Sequence, residues 1–159
     1  MRKQPTHPTK IVSGGQTGVD QAALAVATTL TIPHGGWCPQ GRRCEAGTIP
    51  SEYQVREMDN PSYAARTRQN VIDSDATLIL YRHQLSGGTL LTYQIAQQLE
   101  RPVFLFDLEN PVELAKPLAW LKQFIVATLN VAGPRESSCP GIYKQASELL
   151  VTLLTLDGP

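Results

Sequence analysis

The sequence has no net charge. Its 159 residues carry 14 basic and 14 acidic side chains, with charged residues at 18% and apolar ones at 42%. A chain without surplus positive charge has no general pull toward nucleic acid or an anionic membrane surface, so neither is an expected partner. No apolar run approaches the length that spans a bilayer. The polar, proline-bearing stretch Met1–Thr9 lacks the apolar segment of a secretion signal and reads as a disordered or frayed tail. Cysteine is scarce: Cys38, Cys44 and Cys139 are odd in number and lack CxxC spacing, which fits free thiols in a reducing cytoplasm. His7, His34 and His83 are scattered and complete no zinc or iron pattern with them, so no metal site is expected. The GxGxxG spacing of dinucleotide sites is missing, as is the lysine of a phosphate-binding Walker loop. No serine, histidine and acid trio stands out for nucleophilic catalysis. Lysine is absent between Arg42 and Arg82, where every basic residue is arginine, the side chain suited to forked recognition of phosphate or carboxylate.

Against these absences stand three glycine-bearing turns. They are Ser13-Gly14-Gly15-Gln16-Thr17-Gly18-Val19-Asp20, Ser86-Gly87-Gly88-Thr89 and Asn130-Val131-Ala132-Gly133-Pro134-Arg135-Glu136-Ser137. Each reads as a strand dropping into a helix. Glycine lets backbone N–H groups approach a ligand with no Cβ in the way. The helix that follows directs unpaired N–H groups and the positive end of its dipole at the same point, a corner that attracts phosphate or another oxyanion. Three such corners in a short chain point to one shared anionic ligand.

The hydrophobic periodicity places the turns. A strand at Lys10–Ser13 precedes a helix whose buried face is Val19, Ala22, Ala23, Val26 and Leu30; Thr17 and Asp20 have capping-box spacing at its start. A long irregular stretch, His34 to Met58, reads as a functional loop or lid. A helix is predicted from Ser62 to Asp73, then a strand at Ala76–Tyr81, apolar enough to be buried on both faces. The helix opened by Ser86 carries Leu91, Ile95 and Leu99. Pro102–Phe106 is a further strand, Pro117 the first residue of another helix, and Ala127–Val131 a strand before the third turn. The last helix buries Ile142, Ala146, Leu149, Leu150 and Leu153. This alternation predicts an α/β fold: a single Rossmann-like ligand-binding domain over residues 10–159, with a mainly parallel sheet and helices on both faces. Ligands of such sheets bind beyond the carboxyl ends of the strands.

Candidate site residues follow. Gly14, Gly15, Gln16, Thr17, Gly18 and Asp20 cluster more hydrogen-bonding groups than a packing turn needs. Ser86, Gly87, Gly88 and Thr89 repeat the pattern, with Thr89 either capping its helix or binding an oxyanion. Gly133, Pro134, Arg135, Glu136 and Ser137 form the third corner, where a guanidinium beside a helix start calls for an anion between them. Arg66, Asn70 and Asp73 share a helix face. In the long loop Arg42 is a further counter-charge, and Trp37 either stacks on a heterocycle or anchors the loop. Cys38 reads as an inert thiol.

Taken together, the segments Ser-Gly-Gly-Gln-Thr-Gly-Val-Asp at 13–20, Gly-Gly-Trp-Cys-Pro-Gln-Gly-Arg-Arg at 35–43, Arg-Thr-Arg-Gln-Asn-Val at 66–71, Asp-Ser-Asp-Ala-Thr-Leu at 73–78, Ser-Gly-Gly-Thr at 86–89 and Asn-Val-Ala-Gly-Pro-Arg-Glu-Ser at 130–137 resemble the molybdenum cofactor carrier family, in order, from Lys10 to Leu154. The resemblance implies a homo-oligomer, commonly a tetramer, that holds the molybdenum cofactor (molybdopterin with its metal) as cargo. Molybdenum enzymes or cofactor-synthesis proteins would be its partners, and it would have no catalysis of its own. A nucleotide or a free oxyanion would suit the same corners. The fold group is similar to the nucleoside monophosphate phosphoribohydrolases, whose phosphate turn reads Pro-Gly-Gly-x-Gly-Thr-x-x-Glu. Here Gly87-Gly88-Thr89-Leu90-Leu91-Thr92 lacks that glutamate, leaving Asp20 and then Glu136 as the nearest acids. An enzyme of that type and a non-catalytic nucleotide sensor are the alternatives.

Overall fold

The computed structural model describes residues 7–60 and 62–156. In chain order the elements are β1 (Lys10–Val12), α1 (Val19–Thr29), β2 (His34–Gly35), β3 (Trp37–Cys38), β4 (Arg43–Cys44), β5 (Gly47–Thr48), β6 (Arg56–Glu57), α2 (Tyr63–Ile72), β7 (Ala76–Tyr81), α3 (Gly87–Gln98), β8 (Val103–Asp107), α4 (Ala115–Gln123), β9 (Thr128–Ala132) and α5 (Ile142–Thr155). Five strands form one parallel sheet in the order β2-β1-β9-β7-β8. The fold is α/β and Rossmann-like, as the alternation of apolar strands and amphipathic helices predicts.

Because side chains alternate across a strand, the two faces of the sheet carry different sets. Ile11, Ala76, Leu78, Leu80, Leu129 and Val131 point into the main core with Val19, Ala23 and Val26 of α1, Leu118 and Leu121 of α4, and Ile142, Ala146 and Leu150 of α5. The opposite face lies under α2 and α3, where Val71, Ile95 and Ala96 form a smaller cluster. Thr77 and Asn130 are buried in the sheet and linked by an Asn130 Nδ2 to Thr77 Oγ1 hydrogen bond of 3.3 Å. Helices thus cover both faces, and the carboxyl ends of β1, β7 and β9 open toward one edge, where the glycine turns begin.

Several local expectations are corrected. The stretch from His34 to Met58 is not irregular. His34–Gly35 adds an edge strand to the main sheet, in register Ile11 with His34 and Val12 with Gly35. β3 pairs with β6 and β4 with β5, over a separate cluster of Leu24, Cys38, Ile49, Tyr53 and Val55. Two-residue strands have no periodicity for a sequence reading to detect. The capping box does not form: the cap position of α1 is Gly18, with no side-chain cap bond. Pro117 is the third residue of α4, not its first. Ser86, not Thr89, holds the cap position of α3. α5 starts only at Ile142, so the third turn does not run straight into a helix. Of the expected tail, Met1–Thr6 lies outside the described residues; beyond it Pro8 is buried and the Thr9 N–H donates to Ala127 O at 2.8 Å.

Candidate functional site

At the carboxyl edge of the sheet lies a cavity of about 420 Å³, within the range of small-molecule sites. Four segments line it: Gly14, Gln16 and Asp20 of the first turn; Tyr63, Arg66, Thr67 and Asn70 of α2; Ser86 to Thr89 with Leu91 and Thr92 at the start of α3; and Asn130 to Ala132 at the end of β9 with Gly133 to Arg135 and Ser138 beyond it. All three glycine turns therefore meet at one space.

Arg66 and Arg135 are the cationic residues of its lining and Asp20 the acidic one. The Arg66 guanidinium lies over Gly14, in the space that a Cβ there would fill, so only glycine leaves room for the charge. Its Nε is buried with no hydrogen-bond partner, although a buried polar N–H without a partner is costly. The Tyr63 ring lies 5.8 Å from the guanidinium carbon, within cation–π range. Nearby, Asp20 is 7% exposed. Burial pushes its carboxyl up to about 6, against the opposing pull of Arg66 and of the Gln16 N–H, which donates to Oδ2 at 3.2 Å. The Ser13 hydroxyl, also buried, faces this carboxylate without closing a hydrogen bond of good geometry.

The amino end of α3 forms another part of the wall. The Ser86 side chain makes no cap bond. No atom lies within 4 Å of where a Cβ on Gly87 or Gly88 would stand, so open space fronts this helix end. First-turn N–H groups have no partner within their own helix. A guanidinium and an open helix amino end on one cavity are donors of the chemistry that suits an oxyanion.

The chain from Ile11 to Leu154 matches the model of the circularly permutated YpsA SLOG family. The chain belongs to that family. It is also similar, at 42% identity and a TM-score of 0.89, to the crystal structure of a protein from Syntrophus aciditrophicus SB named "putative molybdenum carrier protein", over 94% of this chain and 96% of that one. The expected kinship with the molybdenum carrier family therefore holds. No curated protein matches the chain.

Within this SLOG-family fold the predicted residues divide. Gly14, Gln16, Asp20, Arg66, Asn70, Ser86, Gly87, Gly88, Thr89, Gly133, Pro134 and Arg135 all line the cavity. Gly15, Thr17, Gly18, Trp37, Arg42, Glu136 and Ser137 do not. Gly18, at φ +78°, packs against the backbone of Pro134 to Glu136 and so lets the first and third turns touch. Trp37 is an anchor: its Nε1 donates to Asp73 at 2.8 Å, while its backbone N–H and C=O bond the Asn70 amide at 2.8 and 3.0 Å. Arg42 donates to the carbonyls of Val55 (3.1 Å), Pro50 (2.8 Å) and Tyr53 (3.0 Å), with Ile49 at 3.5 Å, and so braces the excursion from inside. Glu136 accepts from the N–H groups of Gly141 and Tyr143, each at 2.9 Å, and closes the amino end of α5.

Sequence reasoning missed Tyr63, Thr67, Thr92 and Asn130 as cavity residues. Tyr63 stands three positions before Arg66 on one helix, a signal that was legible. It also missed Glu45, whose carboxylate meets the third turn from far along the chain.

Proposed function

We propose that the protein binds a small anionic ligand in this cavity, and that the ligand is molybdenum cofactor held as cargo. One observation carries the reading: Arg66, with its Nε unpaired, and the open amino end of α3 line the same cavity. The name of the Syntrophus relative supports the choice of ligand. Chemically, a pterin with a terminal phosphate and an oxo-metal group offers oxyanions to Arg66, Arg135 and the α3 amino end, and a flat body to the Tyr63 ring. Charge-assisted hydrogen bonds contribute roughly 1.5–3 kcal/mol each, and a helix end roughly 0.3–1 kcal/mol. Holding and releasing cargo needs no chemistry from the chain. Asn70 and Asp73 fix β3, and Asp20 sets the charge beside the seat.

We further infer that the chain assembles as a homotetramer. Exposed Phe124 and Ile125 at the end of α4 are apolar side chains an interface would cover. Light scattering should return four times the 17.4 kDa chain mass. Mass spectrometry and metal analysis of the purified protein should find a pterin and molybdenum in a one-to-one ratio. A pterin-free protein that also fails to take up cofactor from solution overturns the ligand assignment.

Asp20 favours a second reading. A buried acid with its carboxyl raised to about 6 on a cavity wall is of the kind that proton transfer uses. A nucleoside monophosphate would then be cleaved at its glycosidic bond. Release of free base on incubation supports that reading; no release from any common nucleotide removes it.

A further inference from the structure

Glu45 is held as a bound anion would be held. It stands at the tip of the β4–β5 hairpin, between Cys44 and Gly47. Its Oε1 accepts from the Thr17 hydroxyl and from the Ser137 N–H at 3.0 Å. Its Oε2 accepts from the Ser137 hydroxyl at 2.5 Å and lies 3.7 Å from Arg135 Nε. The Thr17 hydroxyl itself accepts from the Glu136 N–H at 3.2 Å, so its proton is directed at the carboxylate. Hydrogen bonds from Ser137 and then Thr17 hold the Glu45 carboxyl below the ordinary glutamate range. Three donors and a guanidinium, from two glycine turns that touch at Gly18, thus converge on one carboxylate.

This seat adjoins the cavity. Arg135 lines the cavity and faces Glu45. Gln16, also in the wall, accepts from the Glu45 and Thr17 N–H groups through Oε1, each at 2.9 Å. The hairpin is fixed at its base and open at its tip: Arg42 and buried Ile49 secure the base, while residues 45 to 48 are exposed. A carboxylate on an exposed tip can leave without unpacking the core.

We propose that Thr17, Arg135 and Ser137 form a second oxyanion seat, that Glu45 fills it as a tethered stand-in, and that a ligand with two anionic groups displaces Glu45 to span this seat and the one at Arg66. The inference rests on reading the cavity as an anion site and adds the class of ligand: one with two oxyanions, such as a diphosphate or a phosphate joined to a second anionic group.

The test is calorimetric titration of the whole protein with sulfate and with inorganic pyrophosphate, in the wild type, Glu45→Ala and Glu45→Gln. Removing the stand-in should tighten pyrophosphate binding at least tenfold in Glu45→Ala and about threefold in Glu45→Gln. Sulfate affinity at the Arg66 seat should stay within twofold. The Ser137 amide resonance should shift on pyrophosphate addition in either variant. If the wild type binds sulfate but neither variant gains for pyrophosphate, the second seat is wrong and the cavity reading survives. If sulfate fails everywhere while pyrophosphate binds only the variants, the second seat stands and the Arg66 seat falls. Binding of neither probe by any form overturns both. Glu45→Gln keeps the hairpin contacts, so the test survives a Glu45→Ala variant that does not fold.

Discussion

A carboxyl group closed off from water holds its proton more tightly than an exposed one, and Asp20 is closed off. With the folded group near 6 and the ordinary value at 3.8, the folded state keeps a proton between those pH values that the unfolded state has released. Stability from this group is therefore full below about pH 4, declines as pH rises through 6, and is level above. The shift corresponds to roughly 3 kcal/mol. Asp20→Asn should flatten that decline, and its melting temperature should exceed the wild type's above pH 6; thermal unfolding between pH 4 and 8 measures both. Arg66→Met keeps the stem and deletes the charge. Sulfate binding should weaken roughly tenfold to a hundredfold with little change in melting temperature, and unchanged affinity would take Arg66 out of the site. Arg66 was legible because its neighbours along α2 are polar at helical spacing. Glu45 was not, since a lone glutamate between Cys44 and Ala46 gives no sign of a partner 92 positions away.

The excursion between β2 and α2 shows what short elements conceal. A glycine- and proline-rich sequence reads as loop, yet the Arg42 guanidinium supplies bonds that a regular sheet would have supplied, and Ile49, Tyr53 and Val55 supply a core. The sequence points Arg42 at a ligand; its guanidinium instead faces four carbonyls of its own segment. Arg42→Ala should cost roughly 1.5–3 kcal/mol. The loss should fall first on the excursion, as faster hydrogen exchange at Ile49 and Arg56, while exchange in β7 and α1 stays slow. Equal acceleration everywhere would mean that the excursion does not open separately. The third turn carried a different misreading. Arg135 beside a presumed helix start called for an anion, and the chain provides its own in Glu45, while Glu136 serves the true start of α5. The need for an anion is legible in the turn, and distance along the sequence hides what meets it.

At the scale of the whole molecule, the long apolar strands and helix faces were legible because burial on both sides of a parallel sheet leaves a strong mark on composition. Strand order leaves none, and here the order matters. β9 pairs with β1 on one side and with β7 on the other, although it is the last strand in the chain. A fragment ending at Ala127 should therefore show no cooperative thermal transition by circular dichroism and should bind hydrophobic dye; a sharp transition in that fragment would mean the earlier strands close without it. During synthesis, then, β1 and β7 leave the ribosome with bare edges and wait for a keystone. The pocket needs that strand too, because Asn130 to Arg135 and Ser138 supply one of its walls.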